Sequence, residues 1–370
     1  MQIRISYNWL DGLVTRGEAR YGRWLFSAIV SVLFILPAAI YVRPATRCVV
    51  HGAMYASMAK DPFNFATDNP LAFRVLTPLI SYLLGLRGDL IIITNLLLAA
   101  LLLAAVYLYF RAHAPRPADA LVAVAILTFS LVTLTTIYYG GYTDSATYLI
   151  IFLMWHLRRR RLVFYLLFLL GLLNHESVLF LVPWFAYLSS KVSGSKKQLF
   201  VDLIIGFGLT IVAYGLFREW IASHRAVGFS VDYYLKPLLH DPLVWLRKSY
   251  SFQGLGLFTV FKVLWVFPVM AAVSLWRREE RAEVFSMGLL LACSLSQLVV
   301  AFDSSRMLTL GFMVMVIALR HLFLVNPYRF REIVGWVFLA NLAVPQLYTA
   351  RNIIEVMRSL PGDLIFRFLN

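Results

Sequence analysis

The sequence predicts an all-α fold, a polytopic transmembrane helical bundle of about 10–12 membrane helices, some half-length or re-entrant, with interfacial helices on the outer side. Three observations predict it. Hydrophobic residues fill 61% of 370 positions and aromatics 15%, with a mean hydropathy of +0.75, which is more apolar surface than a water-soluble domain can bury. Apolar runs of roughly 17 to 25 residues, long enough to cross ~30 Å of hydrocarbon, recur along the whole chain. Short basic loops punctuate them at regular intervals. No soluble domain intervenes, so residues 1–370 read as a single transmembrane domain.

Taken in order, the first apolar run, 24–42, follows the basic segment 1–23 and ends in IYVRPATR without a small-x-small cleavage site. That predicts a retained first span, not a removed signal peptide. Lys and Arg favour cytoplasmic loops, so 1–23, 111–117, 158–161, 191–197, 277–281 and 326–332 are expected inside. Alternation then puts outside the first loop 43–74 with its interfacial helix, the turn 138–145, residues 174–177, a large loop 218–254, the segment 303–306 and the amphipathic tail 351–370. Loop 218–254 mixes Trp220, Tyr233, Tyr234, Trp245 and Tyr250 with Arg247 and Lys248, a composition suited to headgroup depth, and the tail reads similarly. The net charge of +15 belongs to this topology and to anionic lipid; no soluble basic module exists to bind nucleic acid. Cys48 and Cys293 are the only cysteines and suggest no disulfide framework.

Two stretches strain a simple count of spans. Residues 75–86 would make a helix of only about 18 Å, which predicts a re-entrant or membrane-edge helix ahead of the span 90–110. The run 162–188 has basic loops at both ends, and one span cannot have two inside ends. Two half-length helices meeting near 174–177 reconcile the charges, with Pro183 tolerated where neighbours satisfy the backbone.

Ionisable groups inside that frame are the functional candidates, because each is costly to hold in a membrane. His175 and Glu176 interrupt an apolar run; they either cap the second half-helix or line a polar cavity. Asp144 enters a span after the Gly140-Gly141 turn, as an N-cap or as a site residue beside Tyr138, Tyr139 and Tyr142, whose rings and hydroxyls suit a sugar. Asp61 and Asp68 lie in the first outer loop, where Asp-Pro and Asn-Pro pairs also simply make turns. Arg74 follows them at the membrane edge, a natural bidentate partner for phosphate. Asp303 and Arg306 are three apart and either pair with each other or serve a ligand. Lys262, about two turns into a span, either snorkels or meets a lipid phosphate. Carboxylate bases need a cation nearby to stay ionised at low polarity, and Asp68 near Arg74 and Asp303 near Arg306 meet that condition in sequence.

No P-loop, nucleotide fingerprint, HExxH, CxxC or GxSxG occurs, so an enzyme here draws its activated substrate from the membrane. No DxD pair lies in the outer loops; no metal or cofactor is expected, a divalent cation being optional.

The order of short motifs, an acidic first outer loop with LAFRVLTP, then GYTDS, NHES inside an apolar run and DSSR before a span, resembles polytopic glycosyltransferases of the GT-C superfamily and the bacterial membrane proteins similar to them. The resemblance implies a polyprenyl-phosphate sugar donor, a glycan, lipid or protein acceptor, and inverting transfer on the non-cytoplasmic face of a bacterial inner membrane. It also implies a carboxylate base in the first outer loop, here Asp68 or Asp61. The chain departs from the family in that Arg43, Arg47 and His51 precede any acid after the first span. Either His51 holds the acid's place or the interfacial helix is longer here.

Transfer to an anomeric carbon needs a base at the acceptor and cations on the departing phosphate. Asp68, Asp61, Asp144 and Glu176 are the catalytic candidates, and Arg74, Arg306, Lys262, His175, Tyr142, Asp303 and His51 the substrate or phosphate candidates. A polysaccharide polymerase or ligase would share the donor class. A transporter or lipid flippase is the alternative of a different class, with Glu176, Asp202 and Lys262 as a midplane relay, although no inverted repeat is visible.

Overall fold

A computed structural model describes residues 2–63, 70–192, 195–224, 241, 244–299, 303–325, 327–350 and 353–359. They form an all-α bundle with a small hairpin near its C-terminal end. Among them, six helical stretches are long and apolar enough to cross a membrane: 23–41, 88–113, 196–223, 253–277, 281–299 and 304–325. The helices α6 (Pro117–Thr128) and α7 (Leu131–Tyr138), bent by 51° at their junction, make a seventh if taken as one span.

The chain begins with α1 (Gln2–Tyr21) and turns at Gly22, φ +73°, into the first span α2 (Arg23–Tyr41). Two short helices follow, α3 (His51–Met58) and α4 (Leu76–Leu83), before α5 (Ile91–His113). With eight residues, about 12 Å, α4 is the short helix that the sequence led one to expect. The bend between α6 and α7 frees carbonyls that side chains then satisfy. Ser130 Oγ and Thr133 Oγ1 donate to Leu127 O at 2.8 and 3.2 Å, and Asn341 Nδ2 donates to Phe129 O at 3.3 Å.

Beyond the Gly140-Gly141 turn come α8 (Asp144–His156) and α9 (Arg161–Asn174). At 13 and 14 residues each reaches about 20 Å, well short of the ~30 Å hydrocarbon layer. The apolar run 162–188 breaks in the expected place. α9 stops at Asn174, a 3₁₀ turn covers Glu176–Leu181, and α10 (Val182–Val192) carries on.

Helix α11 (Lys196–Val201) continues through a π-helical stretch, Asp202–Gly208, into α12 (Leu209–Ser223). The span therefore runs past Arg218 and Trp220, which the sequence reading had placed in the outer loop; Tyr233 and Tyr234 lie outside the described residues. Then follow α13 (Val244–Phe261), α14 (Val266–Arg277), α15 (Arg281–Ser296), α16 (Ser304–Thr309), α17 (Met313–Val325) and α18 (Pro327–Ala343). Residues 313–319 of α17 are buried on every side, as expected of a helix apolar all round at the centre of a bundle.

The tail departs from its expected amphipathic helical character. Strand β1 (Leu347–Ala350) pairs antiparallel with β2 (Ile353–Val356), Leu347 opposite Val356 and Ala350 opposite Ile353. The β-branched Ile353, Ile354 and Val356 favour an extended chain, and pairing with β1 gives their backbone its hydrogen bonds. Residues 360–370 lie outside the described ones.

Side-chain and backbone bonds gather the loop segments at two ends. At one, Glu18 of α1 accepts two 2.8 Å bonds from Arg111 and one of 2.7 Å from Tyr107. Asp11 holds Arg116 and the Ala118 amide, and Asp119 takes a bidentate bond from Arg331 at 2.9 and 2.7 Å. These residues come from, or flank, three of the segments that positive charge marks as inside. At the other, Ala45 N donates to Ile137 O at 2.9 Å and Arg43 N to Arg358 O at 2.8 Å, joining three segments expected outside.

Candidate functional site

The break after α9 is built around Asn174. This buried amide donates to Thr143 O and Thr147 Oγ1, both at 2.8 Å, and accepts from Thr77 Oγ1 at 2.6 Å. One side chain thus ties the end of α9 to the start of α8 and to the first turn of α4. His175, extended at φ −160°, caps the 3₁₀ turn, its Nδ1 accepting from the Ser177 amide at 3.2 Å. The capping reading of this stretch is therefore correct for His175, and its 4% exposure leaves the ring little access to a ligand.

Glu176, next along, turns toward Arg74. The pair is bidentate, Nε to Oε2 at 2.8 Å and Nη2 to Oε1 at 2.5 Å, while Nη1 donates to the buried Tyr55 hydroxyl at 2.9 Å. Asp68, the partner that proximity in sequence suggested for Arg74, lies outside the described residues. Asp61 is exposed just beyond α3. Arg74 finds its carboxylate 102 residues away because Asn174 holds α4 and the end of α9 together.

A second, deeper pair sits beside the first. Asp144 takes Nε and Nη2 of Arg306 at 2.7 and 2.8 Å, and Nη1 reaches Asp303 Oδ2 at 3.2 Å. The expected Asp303–Arg306 pair is present, but Asp144 holds the guanidinium more closely. Asp303 also caps α16 through the Arg306 amide and accepts a short bond from the Tyr348 hydroxyl. The Tyr142 ring lies 4.2 Å from the guanidinium carbon of Arg306, with His51 edge-on to Tyr142 at 6.1 Å. His175 lies within electrostatic reach of Arg74, Glu176, Asp144 and Arg306, so the two pairs form one cluster.

Exposure separates the roles. The Glu176 side chain is 36% exposed against 8% for Asp144, and Arg306 is 5% exposed with every guanidinium nitrogen engaged by a carboxylate. Arg306 and Asp144 thus brace the interior, and the guanidinium that was expected to receive phosphate is here occupied by Asp144 and Asp303. Lys262 is engaged in the same way. It is 2% exposed at φ +49°, and its ammonium donates to Tyr41 Oη at 2.9 Å, Asn341 O at 2.8 Å and Val344 O at 2.9 Å. Three donors on three internal acceptors make it a tie between α2 and the end of α18, not a snorkelling or lipid-facing charge. Asp202, offered with Glu176 and Lys262 as a midplane relay, is bound by the Tyr165 hydroxyl at 3.0 Å and paired with Arg161 at 3.5 Å.

Arg218 is the residue that sequence reading missed. Its guanidinium lies over the ring of Phe73 at 4.3 Å, one residue from Arg74, and near Tyr214 at 5.8 Å. Tyr214 in turn is within electrostatic reach of Glu176, Arg218 and Arg74. Among the described residues Arg218 meets no carboxylate. An arginine in the last turns of the apolar helix LTIVAYGLFREW was the available signal, obscured by assigning it to a loop. Tyr55 and Tyr348 gave no comparable sign.

The backbone fits closely around the cluster. Gly141, at φ +88°, lies against Gly52 of α3: a Cβ on Gly141 would stand 2.7 Å from Cys48 Sγ and 2.9 Å from Gly52 Cα. Among the described residues no group of three His, Cys, Asp or Glu side chains is placed to hold a metal.

Fold and cluster together define a multi-pass α-helical membrane protein with a charged site at one end of its bundle. Comparison of the chain with protein-family models, curated proteins and solved structures gives no match.

Proposed function

We propose that this protein is a glycosyltransferase that takes a sugar from a polyprenyl-phosphate donor and passes it to a glycan, lipid or protein acceptor, on the non-cytoplasmic face of a bacterial cytoplasmic membrane. The observation that carries the reading is the juxtaposition of Glu176, a partly exposed carboxylate fixed by Arg74, with Arg218, a cation free of any described carboxylate. Inverting transfer needs those two chemistries side by side.

In this scheme the Glu176 carboxylate takes the proton of an acceptor hydroxyl. The acceptor oxygen bonds to the anomeric carbon as the carbon–oxygen bond to phosphate breaks, and polyprenyl phosphate departs with the electron pair. Arg218 and the outer edge of Arg74 receive that anion; a guanidinium fork matches phosphate oxygens. His51 and Tyr142 line the approach, while Asp144, Asp303 and Arg306 keep the starts of α8 and α16 in register beneath. The short α8 and α9 support the membrane-borne donor: at about 20 Å each is too short to cross the hydrocarbon layer alone, which would leave the cluster between their ends within reach of a lipid phosphate.

The test is chemical. Lipid extracted from the purified protein should contain a polyprenyl phosphate or its sugar ester, and the purified protein should release polyprenyl phosphate from a synthetic sugar ester. Ordinary phospholipid alone, with no release, would remove the proposal.

A further inference from the structure

At the end of the bundle that positive charge marks as inside, carboxylates hold Arg111, Arg116, Arg161 and Arg331. One group of arginines there is not matched in this way. Arg158, Arg159 and Arg160 in the turn between α8 and α9, and Arg320 near the end of α17, make no ion pair among the described residues. Arg158 is nevertheless fixed: its Nη1 donates to Trp155 O at 2.7 Å, and its guanidinium lies 5.4 Å from the Trp155 ring. Burial, with the charges of Arg320 and Arg159, holds Arg158 below the ordinary guanidinium range, the exposed Glu283 being too weak a counterweight.

A buried phenol serves the same place. Tyr109 of α5 is 6% exposed, its ring is packed by His113 at 4.3 Å and Trp155 at 5.0 Å, and Arg320, Arg158 and Glu283 lie within its electrostatic reach. Among the described residues its hydroxyl makes no hydrogen bond. His113 Nδ1 is taken up by Tyr109 O at 2.8 Å, and His156 stands edge-on to the same ring at 5.7 Å. The ends of α5, α8 and α17 thus bring guanidiniums and a phenol together. Directly past the arginine turn, α9 presents Leu162, Leu166 and Leu170 to the outside, spaced by four on one helical face.

We propose that this convergence seats the phosphate of an anionic phospholipid of the inner leaflet, with its acyl chains along the leucine face of α9. The phosphate supplies the anion that Arg158 and Arg320 lack; guanidinium forks match its oxygens, and the Tyr109 hydroxyl donates to it as well. A free phosphate would meet the same cations but make no use of the leucines. A zwitterionic headgroup brings its own ammonium, which the arginines repel. Loop charge orients spans wherever it falls, whereas a site needs the convergence of separate helices found here. The proposal does not depend on the transferase reading.

Native mass spectrometry of the full chain in detergent tests it, with three probes titrated in turn: phosphatidylglycerol, phosphatidylcholine with the same acyl chains, and inorganic phosphate. Phosphatidylglycerol should bind about 10-fold more tightly than either of the others, and should weaken between about 50 and about 500 mM salt. R158Q and R320Q, checked for an unchanged unfolding midpoint, should each lose about 5-fold, the weight of one basic residue at an anionic surface. R16Q, which removes an exposed charge from α1 at the same end, should leave the affinity as it was. Arg320 is exposed, so R320Q gives an answer even where R158Q fails to fold. Equal affinity for the two lipids, phosphate binding as tightly as phosphatidylglycerol, wild-type affinity in folded R320Q, or an equal loss in R16Q would overturn the proposal. No turnover is measured, so that failure leaves the transferase reading standing, and failure of transfer leaves the lipid result standing.

Discussion

Glu176 and Asp144 are both carboxylates on bidentate arginines, and they should respond to mutation in opposite ways. Glu176→Gln keeps one acceptor for Arg74 but cannot take a proton. Transfer should fall by about 10²- to 10⁴-fold, the usual contribution of a general base, with only a modest fall in unfolding temperature. A variant with wild-type turnover would exclude Glu176 as the base. Asp144→Ala instead takes the bidentate partner from the buried Arg306 and leaves it only the longer Asp303 contact, a loss approaching about 3 kcal/mol that unfolding in detergent would read. The sequence made both residues visible, because a charge among leucines is conspicuous. It did not show which guanidinium each would meet: Arg74 and Glu176 are 102 residues apart, Asp144 and Arg306 162. Pairing over such separations is decided by how helices stack.

Among the elements, the Gly140-Gly141 turn and α1 carry the sharpest expectations. At Gly141 any side chain meets both a left-handed backbone and the Cys48 sulfur, so Gly141→Ala should destabilise by about 1–3 kcal/mol and disturb the start of α8. An unchanged melting profile would contradict that close fit. At the opposite end, burial alone would raise the Glu18 carboxyl, but bonds from Arg111 and Tyr107 outweigh it and hold the group below the ordinary glutamate range. The folded state therefore binds its proton less readily than the unfolded chain. The contribution of Glu18 is complete above an unfolded value of about 4.3 and is lost as pH falls through the lower folded value. Glu18→Gln should flatten the acid limb of the stability profile, and an identical limb would count against it. The hairpin was illegible because 353–356 has too few residues to separate a strand from one helical turn. The broken helix at 162–188 was legible because charge at both ends ruled out a single crossing.

For the whole molecule, hydropathy and basic loops carried most of the architecture, since a bilayer constrains span length and loop charge more tightly than water constrains a soluble fold. Lys262 shows where such reading stops: a lone cation in an apolar run has the same sequence whether it reaches headgroups or, as here, caps carbonyls inside. Sidedness is testable with maleimide on intact cells. A cysteine at Lys60 should label from outside, and one at Arg159 only after permeabilisation. The native Cys48 is a slow background, burial and the nearby Asp89 carboxylate pushing its thiol up to about 12. The reverse pattern would invert the bundle and end the outer-face transferase reading.

The meeting of α4 with α9 has a mechanical consequence. These two elements, far apart in the chain, are held by the Thr77–Asn174 hydrogen bond and the Arg74–Glu176 pair, beside ordinary packing. Parting them breaks no helical ladder. The junction is a latch made of side chains, and an incoming phosphate that drew Arg74 away from Glu176 would release half of it while freeing the carboxylate. Arrival of the substrate and arming of the base would then be a single event.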